Sequence, residues 1–593
     1  MTIRRRLAEE WDSKDILSSL WRILASPWAT IALLLTLGLL VLAGMLLPQR
    51  PTLALSDPLA QSAWRVSVEA RYGNSFAWMV GLGFFDLYRS MWLRAILGLL
   101  AFNLVLTLVD LVRPFSPRQL DGNQAPSKWR TLSSLLVFAG MLVILAGVLL
   151  AERSTWWETN VPVCPGQIRP VGHESGLAFR ADGIMPHYDL ASGQVRGGQT
   201  ELTFLRAAGE VGQEVLYDHT PSFFGGLTFY QLSTEPVLLI RASDATGRGL
   251  PLQTPETGAS ELSEVTLHFR DEDASRFIVV LGVPGEPSAL QFEQKGNERY
   301  VLVPAKDLSL RLSFVLPAPG EVEPTFLMEA FRGAETIPFQ QARLTKSASI
   351  VINNDVFTFE PQRHAVIQFG RDYSPFLVLT GGLLMLAGFL FSSWQIAVDW
   401  LSQYRPVLAL DAESPKSGHP IAGSSTGHVF GLVLMEGVLS GALILILLAC
   451  TKDWAIAQTA DRPLSLPRAW WNLLYIVWIL ACASLLKAGI RGLVSLVASM
   501  WKGTNHGGVG SGALLTGLPM LTLLLLLGAL SGTYTQGVYW EWAVTDSRRL
   551  VTWLLYAAFW CCYMLLGWRG RRIHALAVLG LVPTLLMLII PGR

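Results

Sequence analysis

The chain is poor in charge. Only 15% of its 593 residues are Asp, Glu, Lys or Arg, against about 25% in an average soluble protein. That shortage excludes an ordinary water-soluble enzyme and a disordered chain. The 46 basic and 45 acidic residues leave a net charge of +1, so no field steers the protein toward polyanions and no nucleic-acid partner is expected. Cysteine is also scarce. Five in the whole chain exclude a disulfide scaffold. No C-x-x-C occurs, so there is no thioredoxin-like redox motif. No C-x-x-C-H occurs, so the chain is not itself a c-type cytochrome. The phosphate-cradling G-x-x-x-x-G-K-[ST] and the dinucleotide fingerprint are absent as well, which leaves nothing to suggest a nucleotide-driven transporter.

What is abundant is apolar. Hydrophobic residues make up 51% of the chain, and 21 residues are Trp, which favours membrane–water interfaces. A bilayer core needs about 20 apolar helical residues. Nine stretches qualify: 27–47, 91–112, 131–151, 374–394, 429–450, 469–489, 512–532, 550–567 and 573–591. The first is too long and too late for a cleaved signal, and no A-x-A-like site follows it, so it is expected to be retained. Arg4, Arg5, Arg6 and Arg22 precede it, which places residues 1–26 in the cytoplasm. Alternation then puts Arg113, Arg118, Lys128 and Arg130 inside, and later Arg405, Arg491, Lys502, Arg569, Arg571 and Arg572. The loop at 48–90 falls outside.

Between the third and fourth spans lies a long polar segment, 152–373. Its apolar residues recur every second position, as in Glu264-Val-Thr-Leu-His-Phe-Arg270, and Gly, Pro and Asp clusters break the runs. That pattern predicts a mainly antiparallel β domain large enough to bury its own core. The expected fold is therefore a polytopic α-helical membrane protein of about nine spans with a large, mainly β extracytoplasmic domain. Residues 27–151 carry spans 1–3 and 374–400 span 4. A loop-like linker at 401–427 separates them from a five-span module at 428–593.

Intramembrane polar residues are costly and need partners. Glu436 in span 5 reads either as a site facing the bundle or as a hydrogen-bonded packing carboxyl. Asn103 in span 2 reads first as a bond to a neighbouring helix. Arg94 and Lys487, near span ends, are expected to snorkel. Of nine histidines, His173, His187, His219, His268 and His364 fall in the β segment; His419, His428, His506 and His574 fall near cytoplasmic ends. Each reads as surface or structural, and no paired Cys/His spacing supports a metal site. The outside loop at 533–547 is aromatic, with Tyr534, Tyr539, Trp540 and Trp542. It reads as an interfacial belt or as a stacking platform for a flat ligand.

Several segments resemble a known pair of families. Leu46-Leu47-Pro48-Gln49, Gly83-Phe-Phe-Asp-Leu-Tyr-Arg-Ser-Met-Trp-Leu93, Pro221-Ser-Phe-Phe-Gly-Gly-Leu-Thr-Phe-Tyr-Gln231 and Arg371-Asp-Tyr-Ser-Pro375 are similar in order and spacing to the ResB/CcsB family of cytochrome c biogenesis proteins. Glycine-dotted span 4 (Gly381, Gly382, Gly388) matches that family's last helix. Gln536-Gly-Val-Tyr-Trp-Glu-Trp-Ala-Val-Thr-Asp-Ser547 resembles the tryptophan-rich WWD signature of the partner family, ResC/CcsA. The signature's aspartate falls at Ala543, its acidic partner at Asp546 and its first tryptophan at Gln536. The histidines that flank the signature have no counterpart at Trp470-Trp-Asn472.

The resemblance implies a role in system II maturation of c-type cytochromes. A transient b-type haem would be carried to the outer face and attached to an apocytochrome c, with a thiol-reducing protein keeping the acceptor cysteines reduced. Tyr539, Trp540, Trp542 and Asp546 would form the haem-facing loop, and Glu436 an intramembrane polar site. With the flanking histidines missing, the expected form is one component of a haem lyase complex in a bacterial inner membrane. A separate ResC/CcsA-type membrane protein would complete it, in contact with membrane lipids. A self-contained synthase with other haem ligands, or a structural scaffold that has lost haem handling, remains the alternative.

Overall fold

The computed structural model describes residues 21–589 apart from short stretches. The main gaps are 52–57, 113–127, 189–194, 255–262, 270–275, 281–288, 295–297, 316–323, 414–437, 452–467 and 503–508. Its helices are α1 (Pro27–Leu46), α2 (Pro58–Tyr72), α3 (Phe76–Gly81), α4 (Met91–Val112), α5 (Lys128–Ser154) and α6 (Ser374–Glu413), then α7 (Val438–Thr451). They continue with α8 (Arg468–Lys502), α9 (Val509–Gln536), α10 (Val544–Met564), α11 (Arg571–Leu579) and α12 (Leu581–Ile589).

Among the described residues, seven helical segments are long and apolar enough to cross a membrane: Pro27–Leu46, Met91–Val112, Trp129–Ala151, Ser374–Val398, Ala469–Trp501, Gly517–Tyr534 and Arg571–Leu588. This is a multi-pass membrane protein with a large strand-rich domain. Two of the nine apolar stretches fare differently. The stretch 429–450 is described only from Val438, as the shorter α7. The stretch 550–567 lies in α10, whose first two turns carry Asp546, Arg548 and Arg549 and so dilute its hydropathy. In the last stretch, 573–591, α11 gives way to α12 at Gly580, where any Cβ would strike the Tyr556 hydroxyl.

Helix ends follow local chemistry. Ser26 caps α1 by accepting from the Ala29 N–H at 3.2 Å, and Pro27 occupies the first helical position, where its missing N–H costs nothing. The chain then turns through Leu47-Pro48 into Gln49. The Gln49 side chain accepts from Leu87 N–H at 2.9 Å and donates to Phe84 carbonyl at 3.2 Å. Much of the segment read as a loop at 48–90 is helical. Helices α2 and α3 and the 3-10 turn Phe84–Arg89 close a small cluster of Val68, Phe76, Met79 and Phe85. The linker also differs from expectation. Helix α6 runs on to Glu413, through Pro406, and ends just before Ser414-Pro415.

A single apolar cluster joins Leu34 and Val41 of α1, Phe138 of α5 and Phe389 of α6 to Leu521 of α9, Leu554 and Trp560 of α10. Helix α10 packs on α1 and α9 on α6. Trp560 meets Phe389 edge-on at 5.3 Å and donates from its indole N–H to Ser392 Oγ at 3.2 Å. Lipid offers no hydrophobic drive between helices, so close backbone approach must replace it. A Cβ on Gly140 of α5 would run into the Gly381 carbonyl of α6, and one on Gly382 into Leu526 of α9. Asn103 behaves as expected: fully buried, it accepts from Thr30 Oγ1 at 2.8 Å and donates to the Leu24 carbonyl. Lys487 does not sit at a helix end, since α8 continues to Lys502; its ammonium donates to Ser440 Oγ on α7 at 2.9 Å.

The domain between α5 and α6 contains β1 (Trp156–Val163), β2 (Ile168–Pro170), β3 (Ala178–Tyr188), β4 (Val195–Arg206), β5 (Gly209–Tyr217), β6 (Ser222–Phe224), β7 (Leu227–Ser243) and β8 (Glu264–His268). It continues with β9 (Arg276–Val280), β10 (Ala289–Gln294), β11 (Glu298–Val303), β12 (Leu308–Val315), β13 (Thr325–Arg332), β14 (Gln340–Leu344), β15 (Ala348–Ile352) and β16 (Asp355–Arg371). The paired strands β7 and β16, 17 residues each, form its spine. One core, around Phe179, Phe204, Phe229 and Phe369, lies between the spine and the sheet β2-β3-β4-β5. The other, around Leu238, Ile240 and Phe357 with Leu310 and Phe326, lies between the spine and β11-β12-β13-β14.

Candidate functional site

The domain is tied to the bundle by two adjacent strands. Helix α5 runs into β1 and β16 runs into α6, and β1 pairs with β16 from Trp156↔Arg371 onward. Asp372 sits at the corner. Its carboxylate accepts from the N–H and hydroxyl of Ser374 at 2.8 and 2.6 Å, capping α6, and from Thr155 at 2.9 Å. This is why Arg371-Asp-Tyr-Ser-Pro375 reads as a unit: it is the joint between sheet and membrane helix.

The aromatic loop between α9 and α10 meets both other regions here. Trp542 stacks face to face on Tyr88, centroids 4.1 Å apart and planes 9° from parallel. Trp540 approaches Trp542 edge-on at 5.8 Å, and its buried indole N–H has no acceptor among the described residues. The Tyr230 hydroxyl of β7 donates to the carbonyl of Thr533, in the last turn of α9, at 2.5 Å. Burial pushes the Tyr230 phenol up, with the nearby Asp372 carboxylate adding to it, so it stays a neutral donor. Asp546 lies in the first turn of α10, where the helix dipole favours a carboxylate. Its Oδ1 is 3.1 Å from Arg549.

Of the residues singled out in the sequence, Tyr539, Trp540 and Trp542 lie between α9 and α10, and Asp546 lies at the start of α10. Asp546 is engaged by a neighbouring arginine on its own helix. Glu436 lies outside the described residues, as do His219, His419, His428 and His506. Two site residues escaped the sequence reading. Tyr88 and Tyr230 lie inside the quoted motifs at 83–93 and 221–231, yet nothing in either motif says that its tyrosine reaches a loop hundreds of residues away.

The neighbouring Gln231 has a different task. Its amide donates to the Asp218 carboxylate. Burial raises that carboxyl from 3.8 to about 6, with the Gln231 bond and the Gly198 backbone partly offsetting it.

Residues 29–135 match the ResB-like family. The match covers α1 through the start of α5 and includes Tyr88 and Asn103. The chain is also similar to curated proteins named cytochrome c biogenesis protein CcsA. It is 39% identical to one from a Synechococcus species over 64 residues, 11% of this chain and 18% of the relative. It is 38% identical to one from Synechococcus elongatus over 64 residues, 11% and 20% of the respective lengths. It is 36% identical to one from the alga Porphyra purpurea over 64 residues, again 11% and 20%. The chain thus spans about a fifth of the length of these relatives. The ResB-like segment contributes Tyr88 to the aromatic loop, which stands where the sequence resembles the WWD signature.

Proposed function

We propose that this chain acts in the maturation of c-type cytochromes, as the membrane subunit that carries haem to the outer face for attachment to apocytochrome c. The observation that carries this reading is the Tyr88–Trp542 stack. It ties a ResB-like segment to a WWD-like loop within one chain, beside the joint of the strand-rich domain. In this reading residues 152–373 lie outside the cytoplasmic membrane of a bacterium, with the N-terminus inside. The half-exposed face of Trp542 and the Trp540 edge suit a flat macrocycle.

The same loop argues for a partner. Residues 533–547 contain no histidine, cysteine or methionine, the side chains that most often hold haem iron. The loop therefore grips the macrocycle, and a ResC/CcsA-type protein supplies the axial ligands. The acceptor thiols must be reduced to add across the vinyl groups, so a thiol-reducing protein acts upstream.

The test is haem content. The full chain, purified in detergent alone or after co-expression with an intact ResC/CcsA-type protein, is read by its Soret absorbance. Haem on co-expression only, reduced severalfold by Tyr88→Ala or Trp542→Ala, is the expected result, since one aromatic contact contributes about 1 kcal/mol. A Soret band from the chain alone would favour the self-contained synthase. Unchanged levels of covalent cytochrome c after deletion of the chain would overturn both.

A further inference from the structure

A second cluster lies in the strand-rich domain, away from the aromatic loop. Side chains alternate between the two faces of a strand. On β16 the core residues Phe357, Phe359, Ala365, Ile367 and Phe369 are all odd-numbered, so His364 points to the opposite face. Its cross-strand partner on β7 is Glu235. Two residues further along β7, on the same face as Glu235, Val237 pairs with His268 of β8. Three strands thus deliver two imidazoles and a carboxylate to one spot. A bulge fixes which residues these are. Val366 faces Ser233 but Ile367 faces Gln231, so Leu232 is an extra residue, and β7 changes the face it presents on passing it. Without that residue Glu235 would point into the core.

The geometry is that of a ligand set. One donor atom from each of Glu235, His268 and His364 can be chosen so that all lie within 4.8 Å of one another. His364 Nε2 is 3.4 Å from Glu235 Oε2, and the two imidazole centroids are 4.7 Å apart at 60°. His364 is 1% exposed, and its Nδ1 has no hydrogen-bond partner among the described residues. Two imidazoles beside one carboxylate match the donors preferred by zinc and its neighbours among the divalent transition metals. His268 at the exposed rim leaves a way in for the ion.

We propose that Glu235, His268 and His364 form a binding site for a divalent transition-metal ion of the zinc class, which clasps β8, β7 and β16 together. Three protein ligands leave at least one coordination position for water. A bound ion ties the strands that carry both cores, so occupancy stabilises the domain by mass action.

The experiment uses the full chain in detergent, purified through a tag without histidine and stripped with a chelator. Zn2+ is titrated by calorimetry, and Co2+ binding is followed by its visible absorption. One ion per chain, a raised melting temperature and a ligand-field spectrum are expected. Exposed His268→Ala, and Glu235→Gln, should each weaken Zn2+ binding at least about tenfold, while melting like the parent protein in chelator. Buried His364→Ala is the riskier variant, so the proposal is judged on the other two. Binding unchanged in both variants, or no saturable binding in the parent, overturns it.

Discussion

In the strand-rich domain the positions that matter most are large: Phe179, Phe204, Phe229 and Phe369 meet one another at 4.9 to 5.8 Å. In the helical bundle, helices approach one another closely at glycines, Gly140 against Gly381 and Gly382 against Leu526. The difference follows from the solvent. Water drives apolar side chains together, so the domain gains from bulk. Lipid does not distinguish a leucine of another helix from its own chains, so the bundle relies on close approach and hydrogen bonds. Asn103–Thr30, Trp560–Ser392 and Trp553–Thr522, the last at 2.9 Å, are such bonds.

This contrast can be broken at chosen points. The largest effect is expected for Phe229→Ala, which empties the centre of one core. A loss of about 3–5 kcal/mol is expected, read as early proteolysis within 152–373 while the helical circular dichroism persists. If the helices melt together with the domain, the two regions are not energetically separate.

A smaller effect comes from Asp218. Its carboxyl is held at about 6 in the folded domain against an ordinary 3.8. The folded state therefore binds a proton that the unfolded chain has already released. That stabilisation is present below about pH 4 and is lost as pH rises through 6, amounting to about 2–3 kcal/mol. Asp218→Asn should flatten the fall in domain stability between pH 4 and 7, measured by denaturant melts of the full chain. An unaltered slope would refute the assignment.

The smallest is Asn103→Ala in the bundle. Loss of the bonds to Thr30 and Leu24 should cost about 1 kcal/mol, seen as a modest drop in thermal stability in detergent. A much larger loss would mean that polar contacts outweigh glycine packing there.

How much of this was legible in advance depended on range. Hydropathy runs and two-residue alternation are local, so the apolar helices and the strand-rich segment could be read directly. The aromatic loop was visible as composition, and Tyr539, Trp540, Trp542 and Asp546 could be named. Tyr88 and Tyr230 could not be assigned a role, because their partners, Trp542 and Thr533, lie in another part of the chain. Spacing also hid the cluster of Glu235, His268 and His364, since its ligands come from three strands and their convergence rests on register and on the extra residue at Leu232.

By itself, the sequence determined where apolar helices form, where strands alternate, and which motifs resemble the two biogenesis families, because each is a property of neighbouring residues. Only the tertiary structure decided that one core unites α1 with α10 and α6 with α9. A composition break at 401–427 cannot show this, since helix packing depends on matched surfaces and not on the chain between them. The same holds for the aromatic loop: stacking on Tyr88 requires two distant segments to meet at one end of the bundle, and that meeting is a product of the fold.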